Sequence, residues 1–214
     1  MNKPRAALIA DLVATATPVM RPGKTNRNAV WWLLIAGMIA FAAIRITGPF
    51  RSGVFEQLVA APRFLFESLL GFAAIMSLGL TAFRTGIPDA TSIKRRVAMP
   101  LWLLGAWVGM YVLGLFDPAL TPSMSGKRAH CVVEALVWGV PGLAIGWIAL
   151  KRLWPLHGAW SGALLGLAAG AMPALIMQFA CMYEPRHILL FHVLPGLSLG
   201  LIGAILGAVA LRPR

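Results

Sequence analysis

The stretch GAWSGALLGLAAGAMPALIMQFACM, residues 158–182, runs for 25 residues without a charged side chain. As a helix it extends roughly 37 Å, more than enough to cross a hydrocarbon layer of about 30 Å. The rest of the chain is of the same kind. Of its 214 residues, 59% are hydrophobic and 12% are charged, with mean hydropathy +0.78, so a water-soluble domain of this size has too little interior to hide the apolar side chains. Alternating barrel patterning is absent, and helices satisfy their own backbone groups in lipid. The sequence therefore predicts an all-α integral membrane protein.

Working outward from residues 158–182, hydropathy and helix breakers predict six transmembrane helices over 29–47, 64–83, 97–116, 130–150, 158–182 and 188–211. The first ends at TGP (47–49) and the third at DPALTP (117–122), while Pro141, Pro173 and Pro195 are expected to bend the last three. Residues 1–28 then form an N-terminal segment, 29–211 the membrane domain and 212–214 a tail. Of the 19 basic residues, 13 fall on the side that holds both termini, which the positive-inside rule places in the cytoplasm. The net charge of +12 reads as an insertion signal and an attraction to the anionic lipid bilayer, with no direct nucleic-acid partner expected.

The N-terminal run AALIADLVATA (6–16) is interrupted by Asp11 and is too short for a secretory signal. Read as a short helix, it gathers Leu8, Ile9, Leu12 and Val13 on one face, suited to ordering on a partner or to lying on the membrane surface. PGKT (22–25) is no phosphate loop: Pro18 stands where the motif needs glycine, and a basic membrane-proximal linker is expected instead.

Glycines at 158, 162, 166 and 170, with pairs 196/200, 203/207, 105/109 and 142/146, predict close helix packing and, with the prolines, a sliding surface. The contacts fit within one bundle or between copies, so a homo-oligomer stays open. The middle thirds of the spans hold no ionisable group of the kind a transporter needs, and no catalytic triad, Walker loop or HExxH zinc signature occurs. An enzyme is not expected. The rival functions are a small membrane transporter and a thiol oxidoreductase.

Both cysteines have polar company, in KRAHCVVEALVWG (127–139) and FACMYEPRH (179–187). Counted from the turn between the fourth and fifth spans, Cys131 and Cys181 reach heights within roughly 6 Å of each other, on the outer side. His130, Glu134, Glu184 and His187 share that layer, and His192 lies about a turn deeper. Such a pair can form a structural disulfide or share a soft metal ion, with those histidines and glutamates as ligands or supports. No cofactor is obligatory; a heavy-metal ion held transiently by Cys131 and Cys181 is the expected visitor. Glu134 can equally pair with Arg63 or Arg128, and His130 and His187 can be plain interfacial residues. A helix N-terminus and basic neighbours favour thiolate at Cys131, so Cys131 is expected to alkylate faster than Cys181.

The head LIADLVATATPV (8–19), the six spans, the HC and glutamate of 130–134, the glycine-rich fifth span and CMYE (181–184) together resemble the negative regulator of sigma-F family over nearly the whole chain. These are six-helix anti-sigma factors of the bacterial inner membrane. The resemblance implies that the protein holds an extracytoplasmic-function sigma factor at the cytoplasmic face and releases it under heavy-metal or oxidative stress. It also implies that Cys131 and Cys181 are the sensing pair, that Glu134 and Glu184 are the family's nearby acidic positions, and that the head carrying Leu8, Ile9, Leu12 and Val13 meets the sigma factor. Tyr183 stands where relatives often carry a further acid. The loops KRLWP (151–155) and SIKRR (92–96) are expected to relay the signal.

Overall fold

In the computed structural model, which describes residues 4–16, 22–87, 91–153 and 155–211, the helices are α1 (Arg5–Thr15), α2 (Pro22–Thr47), α3 (Val54–Ala60), α4 (Pro62–Arg84), α5 (Ile93–Gly114), α6 (Cys131–Lys151), α7 (Gly158–Ala180) and α8 (Pro185–Ala210). No strand occurs among the described residues. Six of these helices, α2 and α4 to α8, are long and apolar enough to cross a membrane. The chain is a multi-pass helical membrane protein.

The predicted spans coincide with these helices, and the differences at their ends have local causes. PGKT is the first turn of α2 and not a linker, because Pro22 at a helix start sacrifices no intrahelical hydrogen bond. α7 stops at Ala180, where Cys181 turns extended with φ −105° and ψ 177°. α8 begins at Pro185 under a cap from Glu184, three residues before the expected start. The short α3 was not anticipated. The 212–214 tail and Trp154, within the KRLWP turn, lie outside the described residues.

The charge-free run that decided the fold becomes the hub of the bundle. In α7, 78% of the most apolar window is buried, against 33–44% in the other five spans. It packs against α8, α4, α6 and α2, whereas α5 leans mainly on α4. Lipid chains are as apolar as leucine, so such contacts form through close packing rather than escape from water.

Glycine makes the α7–α8 contact possible. A Cβ built on Gly162 would sit 2.0 Å from the Gly203 carbonyl oxygen, one on Gly166 2.1 Å from that of Leu199, and one on Gly170 1.8 Å from that of Gly196. From the other side, a Cβ on Gly207 would lie 2.1 Å from the Gly158 oxygen. Backbone therefore lies on backbone within one chain. The expected sliding surface is instead a lock, since an axial slip would drive a side chain into a carbonyl. Gly105 and Gly109 depart from the expectation too: among the described residues, no neighbour lies within 4 Å of a Cβ placed there.

The helices run through Pro100, Pro141 and Pro173. The departure from α geometry is a π turn, Ile188–Val193 in α8, just ahead of Pro195. Proline lacks the N–H that would bond the carbonyl four residues back, and a wide turn relieves the ring's clash with it. This turn carries His192 inward.

Polar ties hold the two ends of the bundle. At the end holding the start of α7, Thr85 and Ser161 hydroxyls meet at 2.7 Å and Arg84 Nε donates to Asn26 Oδ1 at 2.9 Å. The first and last spans begin and finish at this end. Both cysteines lie at the other.

Candidate functional site

Cys131 is the first residue of α6 and Cys181 the first residue after α7. The height arithmetic along the two helices holds: their sulfurs are 3.2 Å apart, both buried, with no disulfide. Cys181 Sγ lies 3.5 Å from His187 Nε2. His192 is fully buried, and neither of its ring nitrogens makes a hydrogen bond. One ligand atom from each of Cys131, Cys181, His187 and His192 falls within 4.8 Å of every other. His187 stacks on Phe191 and meets the His192 ring edge-on at 5.0 Å between centroids.

Of the other candidate metal ligands singled out in the sequence, three stay outside this cluster. Glu134 accepts from Arg128 NH1 at 2.7 Å, which decides between the two arginines; Arg63 pairs instead with Asp117. Glu184 accepts from the backbone N–H groups of Arg186 and His187, fixing the turn that aims His187. His130 is exposed and precedes α6. Leu8, Ile9, Leu12 and Val13 lie far along the chain on α1, every described residue of which is exposed.

Two arginines brace the cysteines. The Arg128 side chain, 9% exposed, donates to Thr47 Oγ1 and to the carbonyls of Ile44, Gly48, Pro49 and Ala180 as well as to Glu134. It thereby satisfies the orphan carbonyls at the end of α2 and ties them to the end of α7. Its own carbonyl accepts from Cys131 Sγ at 3.4 Å. Arg51, also buried, donates to the Cys181 carbonyl at 3.3 Å and to Gln57, and its guanidinium lies over the Phe64 and Tyr183 rings. Burial pushes Arg51 down from its ordinary value, while Cys181 and Tyr183 hold it up.

Sequence reading missed Arg51 and the polar seam beneath it, because their partners are far apart along the chain. The Tyr183 hydroxyl donates to Glu67 Oε2 at 3.0 Å and accepts from the Ala119 N–H. Burial, with the Glu67 carboxylate beside it, pushes the Tyr183 phenol up. Deeper in, Gln178 accepts from the Tyr111 hydroxyl and donates to Ser68 Oγ at 3.3 Å. Tyr183 thus serves an acid from α4.

Both thiols feel polar neighbours: the hydrogen bond with Cys131 lowers Cys181 most, burial opposes it and His187 adds to it, while Cys131 Sγ lies 3.4 Å from the Arg128 carbonyl it can donate to. Access favours Cys131. A cavity of about 390 Å³ opens onto Cys131 and His187, with Lys127, Arg128, His130 and Phe191 in its walls.

Fold and site together define a multi-pass helical membrane protein whose thiol and imidazole chemistry sits at the end of the bundle away from the start of α2 and the end of α8. The chain belongs to the negative regulator of sigma F family, whose model matches residues 12–212. It is 27% identical over 225 residues to the anti-sigma-F factor NrsF of Caulobacter vibrioides strain NA1000 / CB15N, covering 96% of this chain and 97% of that protein. It is also 27% identical over 183 residues to the carotenogenesis protein CarR of Myxococcus xanthus, covering 85% of this chain and 72% of that one. No solved structure matches it. The family is one of anti-sigma factors, regulators whose partner is a sigma factor.

Proposed function

We propose that this protein holds an extracytoplasmic-function sigma factor at the cytoplasmic face of the bacterial inner membrane and releases it when Cys131 and Cys181 react with a heavy metal or an oxidant. The observation that carries this reading is the 3.2 Å approach of the only two thiols in the chain, at the end of the bundle opposite the first and last helix termini. A metal that bridges the sulfurs, or an oxidant that takes two electrons and two protons from them to form a disulfide, changes how the start of α6 meets the end of α7. α1 supports the other half of the reading. Leu8, Ile9, Leu12 and Val13 are 49–70% exposed on a helix with no buried residue, the pattern of a helix that docks in a partner's groove.

A ligand shifts a two-state balance only by its differential affinity for the two states. Here the difference arises because the thiols stand at the ends of separate helices, Cys131 opening α6 and Cys181 following α7. The test is co-purification from the native membrane before and after cadmium exposure. The intact chain should retain a sigma factor and lose it under cadmium, while Cys131→Ser with Cys181→Ser should retain it throughout. Deleting residues 1–20 should abolish retention; full retention would move the contact to the SIKRR and KRLWP loops. Release from the double variant under cadmium would overturn the cysteine input.

A further inference from the structure

We infer that Cys131, Cys181, His187 and His192 form one four-ligand site for a borderline divalent cation of the zinc class, with cadmium able to take the same position. This rests on the reading of the cysteine pair as the input and adds two imidazoles to it. Glu134 and Glu184 stand outside this group of four: Arg128 holds Oε2 of Glu134, and the first turn of α8 holds both oxygens of Glu184.

The donor set is two sulfurs and two imidazole nitrogens, the combination that favours tetrahedral zinc. With bond lengths of about 2.3 Å to sulfur and 2.0–2.1 Å to nitrogen, such a centre needs its ligand atoms roughly 3.4–3.8 Å apart. The sulfurs are 3.2 Å apart, Cys181 Sγ and His187 Nε2 are 3.5 Å apart, and no separation in the set exceeds 4.8 Å. Side-chain adjustments of about half an ångström to one ångström therefore close the site.

His192 is the independent observation. Its ring is fully buried with neither nitrogen hydrogen-bonded, an arrangement that buried polar groups rarely keep without a partner. The π turn at Ile188–Val193 brings it to the sulfurs, and such turns recur at functional sites. Two thiolates neutralise a divalent ion, so binding adds no net charge to a buried layer that already holds Arg128 with Glu134 and Arg51 beside Cys181. The cavity of about 390 Å³ that reaches Cys131 and His187 supplies an entry path.

The test uses the full-length protein in detergent, stripped with chelator under reducing conditions and titrated with zinc alone, then with cadmium for its thiolate charge-transfer absorption. One ion per chain should bind, and zinc should protect both thiols from iodoacetamide. His192→Ala should weaken zinc binding roughly 100-fold or more, since even groups that merely support a ligand are worth 10–100-fold. His192→Cys should restore it, which separates a lost ligand from a lost fold, and His130→Ala should bind as the unaltered protein does. Absence of stoichiometric zinc, or equal affinity in His192→Ala, would overturn the site. The titration needs no sigma factor, so its failure is distinct from a failure of sigma release in the membrane experiment.

Discussion

Arg128 shows how one side chain can set the geometry of a reactive pair without touching its sulfurs. Its guanidinium is almost sealed from solvent, and it spends its donors on Glu134, Thr47 and four backbone carbonyls from two helix ends. Replacing it strands a buried carboxylate and those carbonyls together. We expect Arg128→Ala to lower stability by about 3 kcal/mol, the low end for breaking a buried ion pair, because Glu134 keeps slight exposure. Glu134→Gln, which keeps an acceptor, should cost distinctly less. Thermal unfolding in detergent measures both. An Arg128→Ala protein as stable as the unaltered one would mean that water replaces all these contacts.

At the scale of the element, α7 and α8 behave as one body. Their backbones meet through glycines, so the contact has no side chain to rearrange and little tolerance for added volume. Gly170→Ala places a methyl group where the Gly196 carbonyl oxygen lies 1.8 Å away, and should destabilise the protein by about 1–3 kcal/mol, as overpacking does. Gly105→Ala, which meets nothing within 4 Å, should stay within about 0.5 kcal/mol of neutral. Equal effects of the two would deny that α7 and α8 lock together. Because Cys181 ends α7, and His187 and His192 open α8, any change at the cluster acts on this rigid pair.

At the scale of the whole molecule, six spans put the outer ends of the first and last helices on one face and the thiol cluster on the other. The proposed regulation needs that arrangement, since it assigns stress chemistry and the sigma factor to opposite compartments. A reporter that is active only in the cytoplasm, fused after Arg214, should be active, and a periplasm-dependent reporter at the same position should be silent. Fused within residues 118–125, which join α5 to α6, the two reporters should exchange behaviour. The reverse pattern would invert the molecule and place the thiols in the cytoplasm, where glutathione keeps cysteines reduced.

The sequence by itself determined the number of spans, their approximate ends and the common height of Cys131 and Cys181. Those properties depend on hydropathy and rise per residue, both of which are local to the chain. It could not decide which way each helix faces, because α6, α7 and α8 are apolar all round and carry no amphipathic signal to orient them. Only the tertiary structure settled that the glycines of α7 meet those of α8, that no described neighbour comes within 4 Å of a Cβ on Gly105 or Gly109, and that Glu134 takes Arg128. The same holds for His192, which joins the sulfurs through a π turn that breaks the 3.6-residue period. The direct meeting of the two thiols is likewise tertiary, since Cys131 and Cys181 stand 50 residues apart and come within 3.2 Å.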